Sequence, residues 1–167
     1  MKIAVAFASL SGNTLQVATE ISEYLQNLPP QQNLPAIEKI DLLDLIDTQV
    51  AQLQAYELVF MGGSSYDEAG INPIAEMFFN TATGDTGTAA GDAENVQTIF
   101  KQTKFAVFAL GDSSYPEFAT SGRVMAEKLV KLGGEIIEPI LKLDGQPDAE
   151  MLIGVKQWVD GVLGELG

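Results

Sequence analysis

The sequence predicts a doubly wound α/β domain, a five-stranded parallel sheet in the order 2-1-3-4-5 with helices on both faces. Short apolar runs alternate with segments of helical period along the chain, which implies βαβ crossovers. The runs are apolar at successive positions rather than at every second one, the pattern of strands buried on both faces. Between the first run and the first helical segment stands a hydroxyl-rich turn, Ser9-Leu10-Ser11-Gly12-Asn13-Thr14.

The elements follow in order. Lys2–Ala8 is the first strand. Asn13–Gln26 is a helix, with Leu15, Ala18, Ile21, Ser22 and Leu25 at helical spacing, and Pro29, Pro30 and Pro35 end it. Ala36–Leu42 is a weakly patterned second strand and Asp44–Gln54 a short helix. Glu57–Gly63 and Lys104–Leu110 are strong third and fourth strands. The third crossover helix is either Asn72–Asn80 or Glu94–Gln102. Thr120–Leu132 is a helix closed by Gly133-Gly134. Glu135–Leu143 is the fifth strand, broken by Pro139, and Asp148–Leu166 closes the chain as a helix with Leu152, Val155, Trp158, Val159 and Val162 on one face. Trp158, Met61, Met77 and Met125 are expected in the core. Thr81–Ala93, small, polar and Gly-rich, reads as a mobile surface loop.

Composition narrows the chemistry. A chain of 167 residues predicts one domain, 1–167. Cys and His are both absent, which removes disulfides, thiolate nucleophiles, the commonest metal ligands and any Ser-His-Asp triad. A net charge of −14 makes nucleic acid and anionic membrane poor partners. No apolar run approaches the ~18 residues of a membrane span. The apolar start, followed at once by Ser9 and Gly12-Asn13, reads as a buried strand rather than a signal peptide, and the expected location is cytoplasmic. Asp67, Glu68, Asp85 and Asp92 read as a solvated acidic loop rather than a metal site.

At the turn, backbone N–H groups of a helix N-terminus suit an anion. The loop carries no Lys or Arg, so amides and hydroxyls alone must do the holding. That favours one small, tightly bound phosphate over a triphosphate with its metal. An ordinary helix cap by Ser11 or Asn13 is the bland alternative. In the predicted sheet, Ser9–Thr14, Ser64–Gly70 and Gly111–Ala119 meet at the carboxyl rim of the strands.

On these loops the chain resembles the flavodoxin family. Ser9, Ser11, Gly12, Asn13 and Thr14 match the family's phosphate loop, a hydroxyl residue, any residue, a hydroxyl residue, then Gly-x-Thr. Gly111-Asp112-Ser113-Ser114-Tyr115, with Phe118 three residues on, reproduces its third loop. Leu132-Gly133-Gly134-Glu135-Ile136 and Leu143-Asp144-Gly145-Gln146-Pro147 are similar to the short-chain members, so the resemblance spans nearly the whole chain. It implies a flavodoxin-like sheet, bound FMN and low-potential electron transfer without bond-making catalysis. It also implies roles: Ser9, Ser11, Asn13 and Thr14 on the phosphate with the backbone of Leu10 and Gly12, Ser64 and Ser65 on the phosphate and ribityl side, and Tyr115 stacked on the isoalloxazine ring. Tyr66 replaces the family's usual Trp as the second ring face, and the backbone around Gly111, Asp112 and Ala119 meets the pyrimidine edge.

Charge and partners follow. Residues 1–100 hold thirteen acids against two bases, whereas 101–167 hold ten acids against seven bases. An acidic rim would steer basic redox partners into short-lived complexes, with the carrier acting as a monomer. Rival readings are an FMN-dependent NAD(P)H or quinone reductase, a flavodoxin-like activator of a ribonucleotide reductase, and a flavin-free adaptor. Few basic residues are available to receive a nicotinamide phosphate, and Ser9, Ser64 and the missing Lys reject a phosphoacceptor receiver.

The middle loop departs from the family. Asp67 stands where relatives carry a Gly whose peptide flips to meet the half-reduced flavin, and the flip needs positive φ, which Asp adopts only at some cost. Electron titration of the purified protein is therefore expected to show a less stabilised neutral semiquinone than in Gly-bearing relatives, and a large, persistent population of it would contradict this reading.

Overall fold

The structure, a computed structural model, describes residues 1–66, 70–82, 98–114 and 118–167, with the backbone alone at Tyr66. Its strands are β1 (Lys2–Ala8), β2 (Lys39–Asp44), β3 (Leu58–Tyr66), β4 (Gly70–Ile71), β5 (Lys104–Gly111), β6 (Glu135–Ile136) and β7 (Leu141–Asp144). The helices are α1 (Asn13–Gln26), α2 (Pro73–Asn80), α3 (Thr120–Lys131) and α4 (Ala149–Gly164). The parallel order is β2-β1-β3-β5-β6, with β7 continuing β6 along β5 and β4 antiparallel on the end of β3. This is the expected 2-1-3-4-5 sheet with its fifth strand in two pieces.

The break falls where Pro139 lies. Phe105 pairs with Ile136, and the next rung joins Phe108 to Leu141, so β5 advances three residues while its partner advances five. Proline has no N–H to give a ladder, and the surplus residues leave the sheet there. The Trp158 indole N–H donates to the Pro139 carbonyl at 2.9 Å, which ties the excursion to α4.

Alternation along each strand sorts the core into two layers. Ile3, Val5, Phe7, Leu58, Phe60, Ala106 and Phe108 pack with α1 and α4. Ala4, Ala6, Ala8, Val59, Met61, Phe105 and Val107 pack with α2 and α3. On the first layer Trp158 meets Phe60 and Phe108 edge-on, at centroid distances of 5.6 and 6.2 Å. Each such pair contributes ~0.5–1.5 kcal/mol beyond area burial.

Several boundaries differ from the sequence reading. The second strand starts at Lys39 rather than Ala36, because its ladder is set by β1 and runs from Lys2↔Lys39 to Phe7↔Asp44. Asp44–Gln54 forms no α-helix but two 3₁₀ turns, Leu45–Asp47 and Val50–Ala55, which bury Leu45, Val50 and Leu53. The third strand continues past Gly63 to Tyr66, because β4 folds back and pairs Ser65 with Ile71 and Tyr66 with Gly70. On α1, Val17 and Thr14 are buried and Leu15 is 39% exposed. Met77 is not core: α2 buries Ala75, Phe78 and Phe79, and Met77 on its other side is 65% exposed. The third crossover helix is Pro73–Asn80; residues 98–102 are not helical, and 94–97 lie outside the described residues. Of the expected Thr81–Ala93 loop only Thr81 and Ala82 are described. Thr81 is held, its hydroxyl accepting from the Val50 N–H at 3.0 Å and donating to the Phe78 carbonyl.

Two glycines should respond oppositely to alanine. A Cβ on Gly62 would lie 2.0 Å from the buried Phe108 ring, and Gly62→Ala is expected to cost about 1–3 kcal/mol through overpacking. Gly154, inside α4, has nothing within 4 Å of such a Cβ, and Gly154→Ala is expected to stabilise by about 0.4–1 kcal/mol. Urea midpoints moving in opposite directions at an unchanged slope check both.

Candidate functional site

The pairing of β1 with β3 ends at Ala8↔Gly63. Beyond that rung the chain leaves β1 for α1 on one face and leaves β3, by way of β4, for α2 on the other. The crevice between two such departures is where open α/β sheets receive ligands.

The first wall is Ser9–Thr14. Gly12 has φ +91°, a left-handed conformation that a side chain would strain, and it turns the chain into α1. Its N–H donates to Ser9 Oγ at 3.0 Å. No side chain caps α1, and its first turn holds no acidic residue. The bland reading, Ser11 or Asn13 as a helix cap, is therefore not what the structure contains. Leu10, Ser11 and Gly12 are exposed, Ser9 and Asn13 half-buried, and Thr14 buried. A helix start with unclaimed amides, flanked by hydroxyls and an amide side chain and free of charge, is a donor set that fits a phosphate.

The second wall is the end of β3. Ser65 Oγ lies 3.1 Å from Ser121 Oγ and accepts from the Ser121 N–H at 3.3 Å, which joins β3 to the start of α3. Ser64 Oγ accepts from the Asn72 carboxamide at 3.3 Å. Ser64 and Ser65 thus stand in a strand, with partners of their own, rather than in a free loop. Tyr66 is placed by backbone alone, and Asp67 lies outside the described residues.

The third wall follows β5. A Cβ on Gly111 would sit 2.8 Å from the Ala119 nitrogen and 3.2 Å from the Phe118 ring, so only glycine lets the loop fold this tightly. Ala119, with φ 51°, starts α3, which has no side-chain cap. Asp112 Oδ1 accepts from the Ser114 N–H at 2.9 Å and the Ser114 hydroxyl at 2.6 Å. Those bonds, the hydroxyl's foremost, hold its carboxyl below the usual carboxylate range. Asp112 is therefore a turn former that stays charged at the rim. Asp144, at the end of β7, accepts from the Ser113 N–H at 2.9 Å and from its hydroxyl, and the Gly145 N–H donates to the Gly111 carbonyl at 2.9 Å. Tyr115 lies outside the described residues.

Sequence reasoning did not single out Asn72, Ser121 or Asp144 for these roles. The dipeptide Asn72-Pro73 did carry a usable signal, since Asn is a favoured N-cap and Pro a favoured first helical residue. Asn72 does accept from the Ile74 N–H at 2.8 Å.

An uncharged, amide-rich cradle beside two hydroxyl-bearing walls at the switch point of a 2-1-3-4-5 sheet defines a mononucleotide-binding protein. The family model described as flavodoxin matches residues 5–158. Among curated proteins the chain is 27% identical to a flavodoxin of Maridesulfovibrio salexigens, over 96% of each chain. It is 26% identical to probable flavodoxin 2 of Bacillus subtilis, over 89% of this chain and 85% of the relative. Oxidised flavodoxin 1 from Bacillus cereus superposes with a TM-score of 0.77 over the full length of both, at 21% identity. The chain belongs to the flavodoxin family, FMN-binding electron-transfer proteins that act as carriers rather than enzymes. Among the described residues no helix is long and apolar enough to cross a membrane.

The Asp144 strap should be measurable. Replacing Asp144 by Ala removes a charged acceptor worth about 1.5–3 kcal/mol from the Ser113 amide. Native-state hydrogen exchange at Ser113 is expected to quicken about tenfold or more, while exchange in β1 is unchanged.

Proposed function

We propose that residues 1–167 act as one domain that holds FMN across these three walls and passes its electrons to basic partner proteins. Ser9, Ser11, Asn13 and Thr14, with the amides of Leu10 and Gly12, hold the phosphate. Ser64 and Ser65 face the phosphate and ribityl side. Tyr66, Asp67 and Tyr115 border the flavin ring, and Gly111, Asp112, Phe118 and Ala119 border its pyrimidine edge. The observation that carries the reading is the start of α1: a left-handed Gly12, no side-chain cap and no acid in the first turn, at the place where β1 and β3 part. Apart from Ser9 Oγ, which accepts from the Gly12 N–H, no side chain competes for the amides at the start of α1.

When bound, FMN supplies one- and two-electron redox chemistry. The protein's part is to set its potential and orientation. The ionised Asp112 opposes the build-up of negative charge at the rim. The reduced carrier is thereby a stronger donor.

The partners in this reading are basic proteins met transiently by a monomer in the cytoplasm. Support comes from the charge, −14 overall and concentrated in residues 1–100. Attraction of this kind is long-ranged and weakened by salt. A reductase acting on a nicotinamide cofactor is disfavoured by the scarcity of Lys and Arg, nine in all.

FMN titration of the apoprotein tests the reading. Wild type is expected to bind with a micromolar or tighter Kd. Thr14→Val removes one charge-assisted hydrogen bond of about 1.5–3 kcal/mol and should raise Kd about tenfold or more. Tyr115→Ala should weaken binding and leave the phosphate loop intact. Purified protein that is colourless and takes up no FMN would overturn the reading.

A further inference from the structure

We propose that Asn72 is a positioning residue, which sets the span between the phosphate loop and the ribityl and ring side of the site. The inference rests on the FMN reading above and concerns a residue outside the three loops.

Asn72 is fully buried, at 0% exposure, in a place where an unpaired amide would be costly. Its carboxamide is used on both ends. Oδ1 accepts from the Ile74 N–H at 2.8 Å, the N-cap of α2. Nδ2 donates to the Ala8 carbonyl at 3.1 Å and to Ser64 Oγ at 3.3 Å. Capping needs only an acceptor, which Ser or Asp supplies equally well. The donor half is surplus to the cap, and it is the half that crosses the crevice.

The places it joins are telling. Ala8 is the last residue of β1 and immediately precedes Ser9, while Ser64 follows the final β1–β3 rung at Ala8↔Gly63. One step past the point where backbone pairing stops, a side chain takes over as the next tie between the two strands. It also anchors the start of α2 to that tie. Because Ser64 Oγ accepts from Asn72, the bond leaves its own O–H able to donate. A ligand that grips both walls gains from each only if their separation matches its length, since the second contact then forms at a high effective concentration. A ligand that touches one wall is indifferent to the separation.

The experiment compares a two-wall ligand with one-wall fragments. FMN spans both walls, inorganic phosphate is held chiefly by Ser9–Thr14 with Ser64 and Ser65 only at its edge, and riboflavin reaches only the ribityl and ring side. Asn72→Ser keeps a capping oxygen and withdraws the reach to Ala8. Asn72→Thr, measured alongside it, keeps a capping oxygen, fills more of the space than Ser and withdraws both carboxamide N–H donors. Leu163→Ala, in the core at 1% exposure and remote from the loops, serves as a control for general loss of stability. In either Asn72 variant the FMN Kd is expected to rise about tenfold, the equivalent of about 1.4 kcal/mol, while the phosphate and riboflavin affinities stay within about twofold and Leu163→Ala leaves all three near wild type. An unchanged FMN Kd in the folded variants overturns the proposal. So does a parallel fall in all three affinities, the mark of a merely structural residue. Wild type that binds no FMN overturns the functional reading itself, an outcome distinct from either.

Discussion

A parallel sheet buried on both faces cannot keep its chain in the plane of the sheet, and this constraint governs the rest of the molecule. Each strand must hand over to a crossover on one face or the other. The handovers from β1 and β3 go to opposite faces, so the rung at Ala8↔Gly63 is the last that can form between them. Backbone groups at the start of α1 and the side chains of Ser64 and Ser65 come to the rim because of this parting. The site is thus a consequence of how the core is closed, and a one-residue slip in the ladder would move every donor at once.

Charge and donor chemistry divide the work in an unusual way for so acidic a chain. In the proposed reading an anion is held where the protein offers no cation, and Asp112 at the rim carries a carboxylate. On that reading neutral donors suffice because the amides at the start of α1 are aligned by the helix and left without a side-chain cap. Keeping acids out of that first turn matters as much as supplying hydroxyls. The same acidic surface that would repel a nucleic acid suits the proposed encounter with basic partners, formed quickly and left quickly.

The walls of the site are braced from outside the loops that form them. Asp144 on β7 holds Ser113, Ser121 on α3 holds Ser65, and Asn72 at the start of α2 holds Ala8 and Ser64. Each brace comes from a different segment and each reaches a main-chain or hydroxyl group of a neighbouring strand end. Loops that must present amides at fixed positions gain order from such ties, because the cost of ordering the loop is met in folding rather than on binding.

Local pattern was enough to read most of the strand and helix sequence, the two-faced burial and the hydroxyl-rich turn into α1, because these depend on neighbours along the chain. The uninterrupted apolar runs of β1, β3 and β5 announce burial on both faces, and Gly12 among hydroxyls announces the turn into α1. Tertiary structure alone decided the start of β2 at Lys39, which answers to the register of β1, and the reach of β3 to Tyr66, which answers to β4. It likewise decided that Met77 faces outward, since an eight-residue helix exposes the side opposite Ala75, Phe78 and Phe79. Asn72 is the clearest case. Its sequence neighbourhood speaks only of a helix cap, whereas its partners at Ala8 and Ser64 are far from it in the chain or across a hairpin, and hydrogen bonds between such residues exist only once the sheet has closed.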